Sequence, residues 1–172
     1  MLKKIILVLG SVGVLMASTF NLDEAKSEVY YEAKKDQFFS TYTIIGINKG
    51  LSGSLVKYED GYKGSLTIDA FSFITDSERR DSNVKEHLNS DKYKFITFEY
   101  VLDKNIVKGT IHINGVSKKI SFPVVVKEDK SELLVSGKIT IKYSDFNIET
   151  PSNLILTAHD GLVIGAKLYF NK

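Results

Sequence analysis

Reactive side chains are few and far apart in this chain of 172 residues. Cysteine is absent, and the three histidines are His87, His112 and His159. A histidine metal centre needs at least two imidazoles to meet in space. His112 falls on the polar side of an alternating segment, and His159 precedes Asp160-Gly161, a turn signal, so both read as surface groups. A Gly-x-Ser-x-Gly elbow, a His-Glu-x-x-His helix and a phosphate-cradling glycine loop are all missing. The densest polar cluster is Arg80-Asp81 followed by His87. Two roles fit it: an ion pair that pins a helical segment, or polar groups at a cavity mouth that hold a ligand head. The spacing converges no nucleophile, base and orienting partner, so no catalytic residue and no metal ligand is assigned.

The elements that would position such groups are strands, because the dominant period is two. Glu28–Ala33 puts Val29, Tyr31 and Ala33 on one face. Lys94–Leu102 aligns Ile96, Phe98, Tyr100 and Leu102, with Thr97 and Glu99 opposite. Lys119–Lys127 aligns Ile120, Phe122, Val124 and Val126, and Leu133–Tyr143 aligns Val135, Ile139, Ile141 and Tyr143. Leu162–Phe170 repeats the pattern, and residues 37–58 read as two more strands around Asn48-Lys49-Gly50. Ile111 and Ile113 precede Asn114-Gly115 while Ile120 and Phe122 follow it, which predicts a hairpin with one apolar face. Asp60-Gly61 and Asp160-Gly161 carry the same tight-turn signal, and Lys104-Asn105 is a looser one. Gly53 and Gly64, inside strands, predict bulges or sharp bends. Thr75–Tyr93 breaks the alternation. Thr75 with Glu78 fits a capping box, and Val84 with Leu88 gives a narrow apolar stripe. One short helical segment is expected near residues 76–92, as a lid on a barrel end or as a plain crossover.

An open sheet of roughly eight to ten short-turn strands would leave two edges exposed, and closing it removes them. The expected fold is therefore all-β: an antiparallel barrel of about eight strands, whose interior is either filled by side chains or holds one small ligand. Its inward set is Tyr31, Leu66, Ile68, Ile96, Phe98, Tyr100 and Ile111, continued by Ile113, Phe122, Val124, Ile139, Ile141, Tyr143 and Ile164. Periodicity does not distinguish a packed bore from a hollow one. Gly53, Gly64, Gly109, Gly137 and Gly165 remove side-chain volume and favour an elongated void.

Lys3 and Lys4 account for the whole formal charge of +2, so the remainder is neutral and has no basic block. Nucleic acid, which is bound through phosphate neutralisation, is not an expected partner. Those lysines, the apolar run Ile5–Ala17 and the small residues Ala17-Ser18-Thr19 have the layout of a cleaved secretory leader, too short for a comfortable span. The expectation is a leader over 1–18, one domain over 19–172, no membrane span after processing, and a periplasmic or secreted location. Lack of cysteine is compatible with export, because a domain of this size folds without disulfides.

Three stretches resemble the YceI-like family, the lipocalin-like, polyisoprenoid-binding proteins of bacterial periplasms. The first runs from Thr75 through Arg80-Asp81 and His87-Leu88 to Tyr93-x-x-Ile96-Thr97-Phe98. The second is Val107–Lys118, and the third Ile141-Lys142-Tyr143-Ser144-Asp145-Phe146-Asn147-Ile148. The chain departs from the family pattern in the longer spacing between Asp81 and His87, in Lys94 for a proline, in Asn147 for the glycine after Asp-Phe, and in Lys26-Ser27 for His-Ser. The resemblance implies an eight-stranded lipocalin-like barrel carrying a long-chain apolar lipid in its bore: a polyisoprenoid, an isoprenoid quinone or a fatty-acid-like chain. The inward set would be the ligand-binding residues, with Arg80, Asp81 and His87 at the mouth or pinning the helix. It implies a carrier or sequestering protein rather than an enzyme, with no required cofactor beyond such a bound lipid or quinone. Two other readings stay open: a redox accessory protein whose quinone is a working cofactor, and a protein-interaction module with a filled barrel. Pairing of two chains into a homodimer is also left open.

Overall fold

A computed structural model describes residues 18–37, 39–151 and 156–172; the leader segment expected at the N-terminus lies, but for Ser18, outside the described residues. The alternating runs form strands, in chain order β1 (Thr19–Leu22), β2 (Glu28–Gln37), β3 (Ser40–Asn48), β4 (Leu51–Tyr58), β5 (Gly61–Asp69) and β6 (Phe73–Ile74). Helix α1 (Glu78–His87) follows, then β7 (Phe95–Asp103), β8 (Ile106–Ile113), β9 (Val116–Glu128) and β10 (Glu132–Lys142). A 3-10 turn (Ser144–Phe146) leads to β11 (Leu156–Asn171).

All pairings are antiparallel, in the order β1-β4-β5-β7-β8-β9-β10-β11, and the ring closes where Asn21 meets Asn171 and Leu22 meets Phe170. That is a closed eight-stranded barrel with one short helix. The remaining strands prolong its walls. β1 and β2 succeed one another along one edge of β11, β3 pairs with β2 and runs on into β4, and β6 continues β5 beyond a bend. Two buried polar side chains hold these bends. Asn48 donates to the Asp69 carbonyl at 2.7 Å and accepts from the Gly50 amide at 2.9 Å. The Ser27 hydroxyl accepts from the Tyr169 amide at 3.0 Å, which gives a structural task to Ser27, the residue that keeps the family pattern beside the departing Lys26.

The end of the barrel that carries the β4–β5, β7–β8 and β9–β10 connections is filled by side chains. Phe20, Leu55, Tyr62, Leu102, Leu133 and Phe170 are all buried there, with Phe20 edge-on to Tyr62 at 5.7 Å between ring centres. The opposite end carries α1.

Several local expectations need correction. Gly53 and Gly64 sit in unbroken β4–β5 register, with no bulge. What they provide is proximity: a Cβ on Gly64 would lie 2.5 Å from Leu55 and 2.9 Å from the Tyr100 ring, and one on Gly53 2.6 Å from the Ser65 carbonyl. The volume removed at Gly64 is therefore taken up by Leu55 and Tyr100 rather than left as void. Asp160-Gly161 is not a hairpin turn but part of an irregularity inside β11, between Ala158 and Leu162. Asp160 uses the irregularity to accept hydrogen bonds from the Ser144 amide (3.0 Å) and hydroxyl (2.7 Å). Asn114-Gly115 does form the expected turn, with φ of 48° and 76°. Asn147, where the family pattern has glycine, adopts left-handed backbone at φ 52° and ψ 33°, a conformation that asparagine tolerates better than most residues.

One seam is incomplete. β9 and β10 pair only from Glu128–Leu133 to Val124–Gly137. Beyond that point residues 116–123 pair with β8 alone and residues 138–142 with β11 alone. The gap ends at the 3-10 turn, where Asn114 donates to the Phe146 and Asn147 carbonyls at 3.1 Å each and Lys118 meets Asp145 at 3.2 Å.

Candidate functional site

Inward-facing side chains line two neighbouring chambers. The one under α1 is about 120 Å³, the central one about 80 Å³, and Ile164 belongs to both. Every residue of the expected inward set lines one of them. Tyr31, Ile96, Ile113, Ile141, Tyr143 and Ile164 line the α1 chamber. Leu66, Ile68, Phe98, Tyr100, Ile111, Phe122, Val124 and Ile139 line the central one, again with Ile164. The inward faces thus bound two chambers rather than one elongated void, hollow towards α1 and filled by side chains at the other end. Phe98 stacks on Tyr100 at 4.9 Å and faces Phe122 at 6.4 Å across the central chamber. The Tyr100 hydroxyl is buried there without a partner among the described residues, and burial pushes its phenol up.

The wall beside the central chamber follows from the incomplete seam. Val124 and Val135, where β9 and β10 still pair, are buried. Ile120, Phe122 and Ile139 also face inward but are half-buried, because no neighbouring strand covers them along the gap.

Helix α1 presents Arg80, Asn83, Val84 and His87 to its chamber, with Leu88 just beyond. The Val84–Leu88 stripe therefore faces the bore, and the segment sits over its mouth. Arg80 and Asp81 do not pair with each other. Arg80 makes its ion pair with Asp76 at the surface. Asp81 accepts from the Thr75 amide and hydroxyl at 2.7 Å each. The capping interaction thus joins Thr75 to Asp81, not to Glu78, and Ser77 occupies the N-cap without a side-chain bond. Asp81 is turned away from the chamber, whereas Arg80 and His87 line it.

Lys35 was missed as a lining residue. It lies in phase with Val29, Tyr31 and Ala33 on β2 and lines the α1 chamber opposite the helix. The signal was available: a lysine at the next inward position of an apolar face. Burial first, and then the Arg80 charge, hold its amine below the ordinary lysine range. Burial pushes Tyr31 up to about 12, with Arg80 pulling in the other direction, and burial likewise raises Tyr143. His112 is on the exposed outer face, 2.6 Å from Ser117, and His159 is exposed, 2.8 Å from Asp36. Among the described residues no cluster of His, Asp and Glu could hold a metal ion, and no helix is long and apolar enough to cross a membrane.

A closed eight-stranded barrel with an apolar bore, packed at one end and covered by a helix at the other, is a lipocalin-like barrel. The YceI-like domain model matches residues 20–168, and the chain belongs to the YceI-like family. BcnA of Burkholderia cenocepacia superposes with a TM-score of 0.71 at 23% identity, over 86% of this chain and 98% of that one. A polyisoprenoid binding domain from Saccharophagus degradans, implicated in plant cell wall breakdown, gives 0.70 at 15% identity, over 88% and 97%. The Campylobacter jejuni YCEI protein gives 0.60 at 24% identity, over 74% and 84%. At these identities the likeness is one of fold. No curated protein matches the sequence.

Proposed function

We propose that this protein binds one long apolar lipid tail-first in the bore, as an exported carrier or sequestering protein. The observation that carries the reading is the contrast within a single barrel: one end is filled by the chain's own aromatic and branched residues, while the other is left hollow and lined by apolar side chains. A cavity kept open in an apolar core forgoes contacts that a filled core would have, and a hydrocarbon chain restores them. The family's lipid-binding character, expressed in the description of the S. degradans relative as a polyisoprenoid binding domain, supports the same reading. The leader-like first 18 residues support export.

Burial contributes about 0.8 kcal/mol per methylene, against roughly 4–15 kcal/mol lost on association. Short chains barely break even; long ones bind without many polar contacts. Each chamber alone resembles cavities of about 150 Å³ that hold a single small ring. A long chain therefore requires the chambers to merge past Ile164 and the wall to spread, and the unpaired part of the β9–β10 seam is where it can. Ile164→Trp fills the junction. It is expected to keep the far-ultraviolet circular dichroism of the parent and to lose at least tenfold in affinity for a long-chain lipid measured by tryptophan-independent titration. A folded variant with parental affinity would refute the bore as the tail site.

A further inference from the structure

We propose that the mouth of the bore is an anion site formed by Lys35 and Arg80, and that the natural ligand is an amphiphile whose head is a phosphate or a carboxylate. This rests on the lipid-binding reading and extends it from tail to head. The charged side chains lining the α1 chamber are both cations, one on β2 and one on α1. Of the acidic residues nearby, Asp81 is occupied by Thr75, and Asp76, ahead of the helix and 83% exposed, pairs with Arg80 through one guanidinium nitrogen.

Lys35 is half-buried, and among the described residues its ammonium has no ion-pair or hydrogen-bond partner. A partly desolvated ammonium facing a second cation is unfavourable in the empty protein, and its amine is held low for those two reasons. An anion at the mouth compensates both. The Arg80 guanidinium has five N–H donors, of which Asp76 engages one nitrogen, so donors remain for a ligand oxygen through charge-assisted bonds. The same anion would sit where the tail, threaded inward past Tyr31 and Tyr143, must end. A neutral alcohol bound in that place would desolvate Lys35 further and return nothing.

The test uses delipidated full-length protein at low ionic strength and neutral pH, with two matched pairs of probes: geranylgeranyl phosphate with geranylgeraniol, and palmitate with hexadecanol. The anionic member of at least one pair is expected to bind ten or more times tighter than its alcohol. The pair that shows the preference tells whether phosphate or carboxylate is the head recognised. Lys35→Met, which removes a charge that no described residue pairs, is expected to fold, to leave alcohol binding no weaker and to reduce the preference to below threefold. Lys35→Arg is expected to restore it. Equal affinity for anion and alcohol in both pairs, or a preference that survives Lys35→Met together with Arg80→Gln, overturns the anion site. Failure of all four probes to bind overturns the lipid-binding reading itself.

Discussion

At the scale of single residues, close approach governs more than flexibility does. Gly64 is required because Leu55 and the Tyr100 ring occupy the space a side chain would need. Gly64→Val is expected to lower stability by about 1–3 kcal/mol, read as a fall in the urea midpoint at unchanged slope; an unaltered midpoint would show that the neighbours yield freely. Lys35 supplies a pH-dependent counterpart. Its folded-state pKa is below the ordinary 10.5, so the unfolded chain binds more protons in the interval between the two values, and stability rises with pH there. The titratable groups that line the chamber with it are Arg80 and His87 on α1, Tyr31 on its own strand β2 and Tyr143 after β10. Relative to Lys35→Met, the parent is expected to be the less stable at neutral pH and to close the difference as pH rises towards 10.5. A constant difference across that range would contradict the assigned desolvation. Lys35 also shows how a site residue escapes notice: alternation flags apolar inward positions, and the run read over Glu28–Ala33 stops short of this charge on the same face.

At the scale of elements, α1 is a short polar helix held by its first turn. The Thr75–Asp81 contact satisfies one amide and one hydroxyl ahead of the helix. The Arg80–Asp76 pair is an exposed i, i+4 interaction, a kind worth little. Asp81→Ala is accordingly expected to cost about 1 kcal/mol, as losses of N-terminal caps do, and Arg80→Ala distinctly less; comparable losses from both would contradict the separate roles. Of the two roles the sequence left open for them, an Arg80–Asp81 pair that pins the helix is not formed, because adjacent residues on a helix point in different directions. The incomplete β9–β10 seam was likewise hidden. Both strands alternate without a break, and pairing depends on how neighbouring strands diverge as the barrel twists. Amides on the open edge of residues 117–123 and 139–142 are expected to exchange with solvent much faster than the paired amides of 124–128, as read by hydrogen exchange. Uniform protection along β9 would mean that the seam closes in solution.

At the scale of the molecule, the barrel, its closure and the inward faces were legible because period-two alternation and short turns leave few other solutions for a chain of this length. The hollow was not, since a packed and an empty bore present the same alternation. It emerges from where the large side chains gather: Phe20, Tyr62 and Phe170 pack one end, while the residues nearer α1 leave chambers between them. The bends that turn β1 into β2 and β3 into β4 rest on Ser27 and Asn48, polar residues whose burial no local pattern announces. The account stands on that hollow taking up hydrocarbon. Native mass spectrometry of the full chain, purified without detergent and then extracted into organic solvent, tests it most directly. The expected result is one equivalent of a long-chain lipid per chain, released on extraction and absent from Ile164→Trp; a parent protein that purifies at its bare mass and takes up no lipid offered to it would contradict the account.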